Sequence, residues 1–184
     1  MKLTISDRNA VFYRTILALA MIVLAAVLRI VPHPWNFAPI GAMALFSGAM
    51  VRDTRLALLF PLLTLFVGDL FIGFHKLMPV VYASTLVSVA LGFLLRGRKT
   101  LGRTAGVTLL GAIQFFLVTN FGVWLLLDTF PKTAAGLVAC YIAGIPLFWN
   151  TLASDALYVI LLFGGFALAV RLFPAFQKPV AGHA

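Results

Sequence analysis

The chain has 184 residues, 62% of them hydrophobic and 10% charged, with 14 Lys and Arg against five acids, all Asp, for a formal net charge of +9. A soluble domain has about 45–50% apolar and about 25% charged residues, so this composition cannot cover a water-facing surface. Disordered chains are poor in aromatics, and 17 Phe exclude that class as well. What remains is an all-α integral membrane protein, whose basic excess marks orientation in the bilayer rather than a nucleic-acid partner.

A membrane-crossing helix needs about 20 apolar residues to traverse about 30 Å of hydrocarbon. The apolar runs here are continuous rather than alternating, which favours helices over a β-barrel. The chain predicts one transmembrane domain over 1–184, with short cytoplasmic tails at 1–10 and 172–184. The first span covers about Val11 to Val31. It is longer than the apolar region of a signal peptide and ends at Arg29 and Pro32 rather than at a small-residue cleavage site, so it reads as a retained helix. The loop His33-Pro-Trp-Asn-Phe-Ala-Pro39 follows, then a short Gly- and Ala-rich second span from Ile40 to Val51, closed by Arg52-Asp53-Thr54-Arg55. The third span, Leu56 to Phe74, contains Pro61 and Asp69. His75-Lys76 separates it from the fourth, Leu77 to Leu95. The basic stretch Arg96 to Arg103 is a loop, and the fifth span runs from Thr104 to Leu127. After the turn from Asp128 to Lys132, the apolar segment Ala134 to Ile145 is too short to cross, and a last span covers Phe148 to Val170.

Cytoplasmic loops are enriched in Lys and Arg. With the N-terminus inside, Lys2, Arg8, Arg14, Arg52, Arg55, Arg96, Arg98, Lys99, Arg103, Arg171 and Lys178 fall inside and only Arg29, Lys76 and Lys132 outside, a bias of 11 to 3. Six spans with both termini in the cytoplasm of a cell (inner) membrane satisfy it. The segment 134–145 is then expected as a short outer or re-entrant helix before the last span.

In that topology the outer ends collect polar and aromatic residues: His33, Trp35, Asn36, Asp69, His75, Tyr82, Asn120, Trp124, Asp128, Tyr141, Trp149 and Asn150, with Asp155 in the outer third of the last span. An interfacial aromatic belt accounts for Trp and Tyr but less well for Asn and Asp. Asp69 and Asp155 are the sharpest signals, because a carboxylate inside a span costs about 2.5–3.5 kcal/mol on insertion scales and normally faces the bundle interior or an aqueous cavity, paired with a donor. They read either as ligand contacts or as structural hydrogen bonds. Asn120 alone suits an interhelical hydrogen bond; with Trp124 one turn on, it offers an amide and a stacking surface on one face. The stripes Ala135/Ala139/Ala143 and Gly136/Cys140/Gly144 allow close helix approach, which favours a packing role for the only cysteine; the alternative is a reactive thiol near the outer face, able to ligate a metal-centred cofactor. The candidate substrate-binding residues are therefore Trp35, Asn36, Asp69, His75, Asn120, Trp124, Tyr141, Asn150 and Asp155. A metal site from His33, His75, Cys140 and an Asp has no supporting spacing, and nucleophile-elbow, P-loop and dinucleotide motifs are absent. No metal, cofactor or catalytic residue is expected, and uphill transport would draw its energy from a partner or an ion gradient.

The stretch His33-Pro-Trp-Asn-Phe-Ala-Pro-Ile-Gly-Ala-Met-Ala-Leu-Phe46 resembles the signature of a family of small, uncharacterised bacterial membrane proteins assigned to transport. Asp69-Leu-Phe-Ile-Gly-Phe-His75, Phe115 to Trp124 and Gly136 to Asn150 match the same pattern, so the resemblance covers about residues 29 to 165. That family is similar to the substrate-binding (S) components of energy-coupling factor (ECF) vitamin transporters. The resemblance implies a six-helix bundle that binds a vitamin or metal ion near its outer face, with an ECF-type coupling subunit and two ATPases as partners. Some solitary relatives of the class handle cobalamin through a cysteine. One departure stands out: such components carry an Ala-x-x-x-Ala docking pattern in the first helix, and Ala18, Ala20, Ala25 and Ala26 contain no such spacing.

The leading expectation is a transport protein that captures a small solute, vitamin-like or a cofactor precursor, at an outward-facing site and moves it into the cell. The alternatives are a membrane-embedded enzyme using the intramembrane Asp and His residues, which requires Asp69, His75 and Asp155 to converge, and a structural subunit without a ligand, whose outer half would be packed solid. A cavity of about 300 Å³ or more would argue against the last.

Overall fold

The computed structural model describes residues 5–29 and 34–176, and the described residues contain helices and no strands. His33, Lys2 and Lys178 lie outside the described residues. In chain order the helices are α1 (Ile5–Leu28), α2 (Ile40–Met50), α3 (Thr54–Ile72), α4 (Met78–Phe93), α5 (Leu101–Leu126) and α6 (Ala134–Val159). A one-turn π-helix (Ile160–Gly164) joins α6 without a break to α7 (Gly165–Leu172), and a 3₁₀ turn (Pro174–Phe176) follows.

Four helical segments are long and apolar enough to cross a membrane: Asn9–Leu28, Thr54–Ile72, Leu101–Leu126 and the 39-residue rod Ala134–Leu172. α2 and α4 are shorter, at 11 and 16 residues. One expectation is corrected. Residues 134–145 are not a separate outer or re-entrant helix but the first turns of the same rod that carries the last predicted span. Pro146 lies inside that rod and Pro61 inside α3. Proline is tolerated in membrane helices where neighbours satisfy the freed carbonyl. α1 begins at Ile5, within the stretch 1–10 expected as a cytoplasmic tail, and its apolar, membrane-length part begins at Asn9.

α2 is the axis of the bundle. Ala42 through Ala49 are all buried, and α1, α3, α4, α5 and α6 surround it. At 11 residues it is about 16 Å long, roughly half the hydrocarbon thickness. An apolar helix surrounded on all sides needs no polar stripe, which explains the uninterrupted run Ala-Met-Ala-Leu-Phe. Its closest neighbour is α4, where Gly48 and Gly92 face each other. A Cβ on Gly48 would overlap the Val89 carbonyl, and one on Gly92 would overlap that of Leu45. Ala18, Ile22 and Ala25 form the buried face of α1 against α2. These alanines of α1 therefore face the core.

The π-turn brings Phe163 and Phe166 onto Phe46 of α2, edge to face, with ring centroids 5.2 and 5.8 Å away. Polar side chains stitch the remaining contacts. Gln114 of α5 donates to the Ser84 carbonyl and Ser88 Oγ on α4 (3.1 and 2.8 Å) and accepts from Ser84 Oγ (3.1 Å). Ser47 of α2 donates to the Ala57 carbonyl of α3 (2.8 Å). Among the described residues, no buried side-chain nitrogen or oxygen lacks a partner, as a medium without water demands.

Candidate functional site

The loop 34–39 leads into α2 with no polar residue able to cap it: the N-cap is Pro39, which makes no side-chain cap bond. Four N–H groups at a helix start need acceptors, and here one comes from another helix. Asp155 of α6, 1% exposed, accepts from the Ala42 N–H at 3.0 Å. The carboxylate approaches so closely that a Cβ on Gly41 would overlap it. A negative group at the positive end of a helix dipole is favourable, which accounts for a carboxylate in an apolar span. The same stretch of α6 fastens the loop: Ser154 Oγ donates to the Ala38 carbonyl (2.9 Å) and Asn150 Nδ2 to that of Trp35 (3.0 Å). Asn36 takes a left-handed conformation at φ 58°, which Asn tolerates better than most residues.

The second buried carboxylate lies at the same end of the bundle. Asp69 of α3, 1% exposed, accepts from Arg29 Nη2 through Oδ1 (2.6 Å) and from the Tyr82 hydroxyl through Oδ2 (2.7 Å). Arg29 at the end of α1 also donates to the Leu65 carbonyl (3.1 Å). Gly68 leaves room for it, since a Cβ there would come within 2.7 Å of Nη1. Three helices thus meet at one charge-assisted network, the only ion pair among the described residues.

Arg29 and Asp155 share the wall of a cavity of about 210 Å³, lined also by Asn36, Gly41, Phe115 and Thr151. Two of the nine predicted site residues, Asn36 and Asp155, line it directly. Asp69 contributes through Arg29, and Asn150 and the Trp35 carbonyl through the loop they fix. Trp35 itself points outward, 83% exposed. His75 is exposed in the α3–α4 connection and is not part of the lining.

Asn120, Trp124 and Tyr141 are placed elsewhere, outside the lining of this cavity. They knit α5 to α6 and to the turn between them. Asn120 Nδ2 donates to its own helix at the Phe116 carbonyl (2.9 Å), and its amide packs on Gly144. Tyr141 donates to the Leu117 carbonyl (2.9 Å) and Trp124 Nε1 to that of Pro131 (2.9 Å). Of the two small-residue stripes, Gly136/Cys140/Gly144 is buried and Ala135/Ala139/Ala143 is exposed. Cys140 Sγ donates to the Asn120 carbonyl at 3.4 Å. Lys132 donates to the Trp124 and Leu127 carbonyls at the end of α5. No cluster of three or more His, Cys or acidic residues that could hold a metal occurs among the described residues.

Sequence reasoning counted Arg29 only as an outer charge and left out Thr151 and Gly41. The available signal was Asp69 itself, since a carboxylate in a span implies a donor within reach, and Arg29 is the one guanidinium in the outer set.

These features define an all-helical protein with four helices long and apolar enough to cross a membrane and a cavity of mixed lining at one end of its bundle. The chain belongs to a family of unknown function (DUF6580), whose profile matches residues 9–176. No curated protein and no solved structure matches it.

Proposed function

We propose that the protein is a multi-pass transport protein of the cell (inner) membrane that binds a small solute at the Arg29/Asp155 cavity and moves it into the cell. The observation that carries this reading is the cavity: a space of about 210 Å³ at one end of the bundle in which a guanidinium, a carboxylate, an amide and a hydroxyl share the wall with the apolar side chains of Ile40, Ile72 and Phe115. The 11-to-3 distribution of basic residues supports N-in, C-in topology, in which this end faces outside. The volume is below the about 300–1,000 Å³ of pockets for drug-sized ligands. It suits a small polar solute, or the polar part of a vitamin-like one. The resemblance to ECF S components supports a binding role within a larger transporter, with a coupling subunit and ATPases as partners. Of the α1 alanines weighed for docking, Ala18 and Ala25 face the core and Ala20 is exposed, so α1 offers no exposed small-residue stripe and docking would use other surfaces.

The cavity, at about 210 Å³, falls short of the about 300 Å³ that would argue against a structural subunit without a ligand, and the enzyme alternative gains no specific observation. Both oxygens of Asp69 are engaged and His75 is exposed outside the cavity, so the Asp and His residues do not converge on one space.

Native mass spectrometry of the protein purified in mild detergent tests the reading. Wild type is expected to retain a small molecule that Thr151→Val and Asn36→Gly, which leave the buried charges intact, lose or hold less well. Equal adducts in all three would reject the site.

A further inference from the structure

The opposite end of the bundle holds a second and larger cavity, of about 520 Å³. Its walls come from three separated stretches of chain: Arg14 and Thr15 on α1, Arg52 just past α2, and Arg96 and Lys99 between α4 and α5, with Phe166 of α7 closing one side. Four cations converge there, and none of the lining residues is acidic. The neighbouring acid, Asp53, caps α3 by accepting from the Leu56 N–H at 2.9 Å. The one ion pair among the described residues lies at the other end.

The partners these cations have are carbonyls, a hydroxyl and, for Arg96, the face of the Phe93 ring 4.2 Å away, none of them charged. Arg96 Nε and Nη2 donate to the carbonyls of Gly48 (2.8 Å) and Val51 (2.9 Å) at the end of α2, and Nη1 donates to Thr54 Oγ1 (3.4 Å). Arg14 Nε donates to the Phe176 carbonyl at 2.6 Å. Such bonds hold the guanidinium groups in place without cancelling their charge. A guanidinium has five N–H donors in a planar fork suited to phosphate oxygens. Four like charges around one space repel one another unless an anion enters. The cavity also has an apolar side, formed by Phe166, Met50 and Val11, at the ends of the helices where a bilayer presents its headgroups. Basic pockets between helix ends are the usual setting for anionic lipid headgroups.

We propose that this cavity binds a phosphate-bearing anion, held by Arg14, Arg52, Arg96 and Lys99, and supplied either as the headgroup of an anionic phospholipid or as free phosphate from solution. The proposal depends on neither the transport reading nor the outer cavity.

The test is the melting temperature of the full-length protein in neutral detergent. One arm adds cardiolipin or phosphatidylglycerol, with phosphatidylcholine as control. The other adds sodium phosphate or pyrophosphate, with sodium chloride at equal ionic strength. The expected result is a rise of about 5 °C or more in at least one arm, lost in the Arg14→Gln/Arg52→Gln double variant. It should be kept in Arg98→Gln/Arg103→Gln, whose exposed charges lie outside the lining. A response to anionic lipid alone identifies the headgroup as the source; a response to phosphate alone identifies the soluble anion. Should the double variant fail to fold, Arg52→Glu alone, at an exposed position, is expected to abolish the shift. No rise in either arm, a rise that survives the cavity variants, or one equally lost in Arg98→Gln/Arg103→Gln overturns the proposal.

Discussion

Asp69 is bonded from two directions by two kinds of donor, and the two bonds differ in what they stabilise. Tyr82 offers a neutral hydroxyl, whereas Arg29 offers a charge that must itself be neutralised in an apolar setting. Removing one partner of a buried pair costs about 3–5 kcal/mol because the other charge is stranded, whereas replacing both with apolar residues is often neutral. Asp69→Asn is therefore expected to lower the melting temperature markedly, and Arg29→Met/Asp69→Leu to recover most of the loss, as read by thermal denaturation in detergent. A double variant no more stable than the single one would show that the pair does more than neutralise itself. Asp155 stands in a different balance. Its bond is to a backbone N–H, so Asp155→Asn keeps an acceptor, whereas Asp155→Ala leaves that donor unsatisfied at about 1–3 kcal/mol. Both carboxylates were legible in the sequence as expensive residues. Their partners were not. Nothing in a one-dimensional pattern says that the first of two acids meets Arg29, 40 residues away, or that the second meets the start of α2, 113 residues away.

At the scale of elements, α2 is held between opposite charges in the sense that its dipole prefers. Asp155 of α6 sits at its N-terminal end and Arg96, from the connection between α4 and α5, at its C-terminal end. A short helix with no polar caps of its own depends on such borrowed ones. Arg96→Ala is expected to lower the melting temperature, while Arg98→Ala, exposed two residues on, leaves it within about 0.5 kcal/mol of wild type in stability. The Gly48–Gly92 crossing predicts a separate sensitivity. Gly48→Ala forces a methyl onto the Val89 carbonyl, and overpacking of this kind costs about 1–3 kcal/mol or more. Helix positions were legible because apolar runs and basic loops alternate cleanly, and α2 was visible as short and rich in small residues. The reading of 134–145 as a separate piece came from charge parity, which forbids a seventh crossing. Parity is equally satisfied by extending the last helix, and the structure takes that solution.

For the molecule as a whole, charge is divided by end. One end carries the Arg29–Asp69 pair and Asp155, the other an excess of cations. With Cys140 replaced by Ala, a membrane-impermeant maleimide applied to intact cells should label D128C, and should label R98C only after permeabilisation. The reverse pattern would invert the topology. In the purified wild type, Cys140 itself is expected to react only on unfolding, because it is buried against α5. That Asn120, Trp124 and Tyr141 of α5 and α6 bond carbonyls of α5 and of the turn after it was not legible, because composition cannot distinguish groups that face a cavity from those that bond the nearby backbone.

The rod from Ala134 to Leu172 has 39 residues and hence a contour length of about 58 Å, nearly twice the hydrocarbon thickness. Even at a tilt of about 40°, the upper end of the usual range, it rises about 44 Å, the height of a bilayer including both headgroup layers. Its length is thus matched to the whole membrane rather than to the oily interior. The protein should accordingly be sensitive to hydrophobic mismatch: reconstitution in short-chain lipids should force the rod to lean further or the bilayer to deform around it, and membranes of different thickness should sort it laterally.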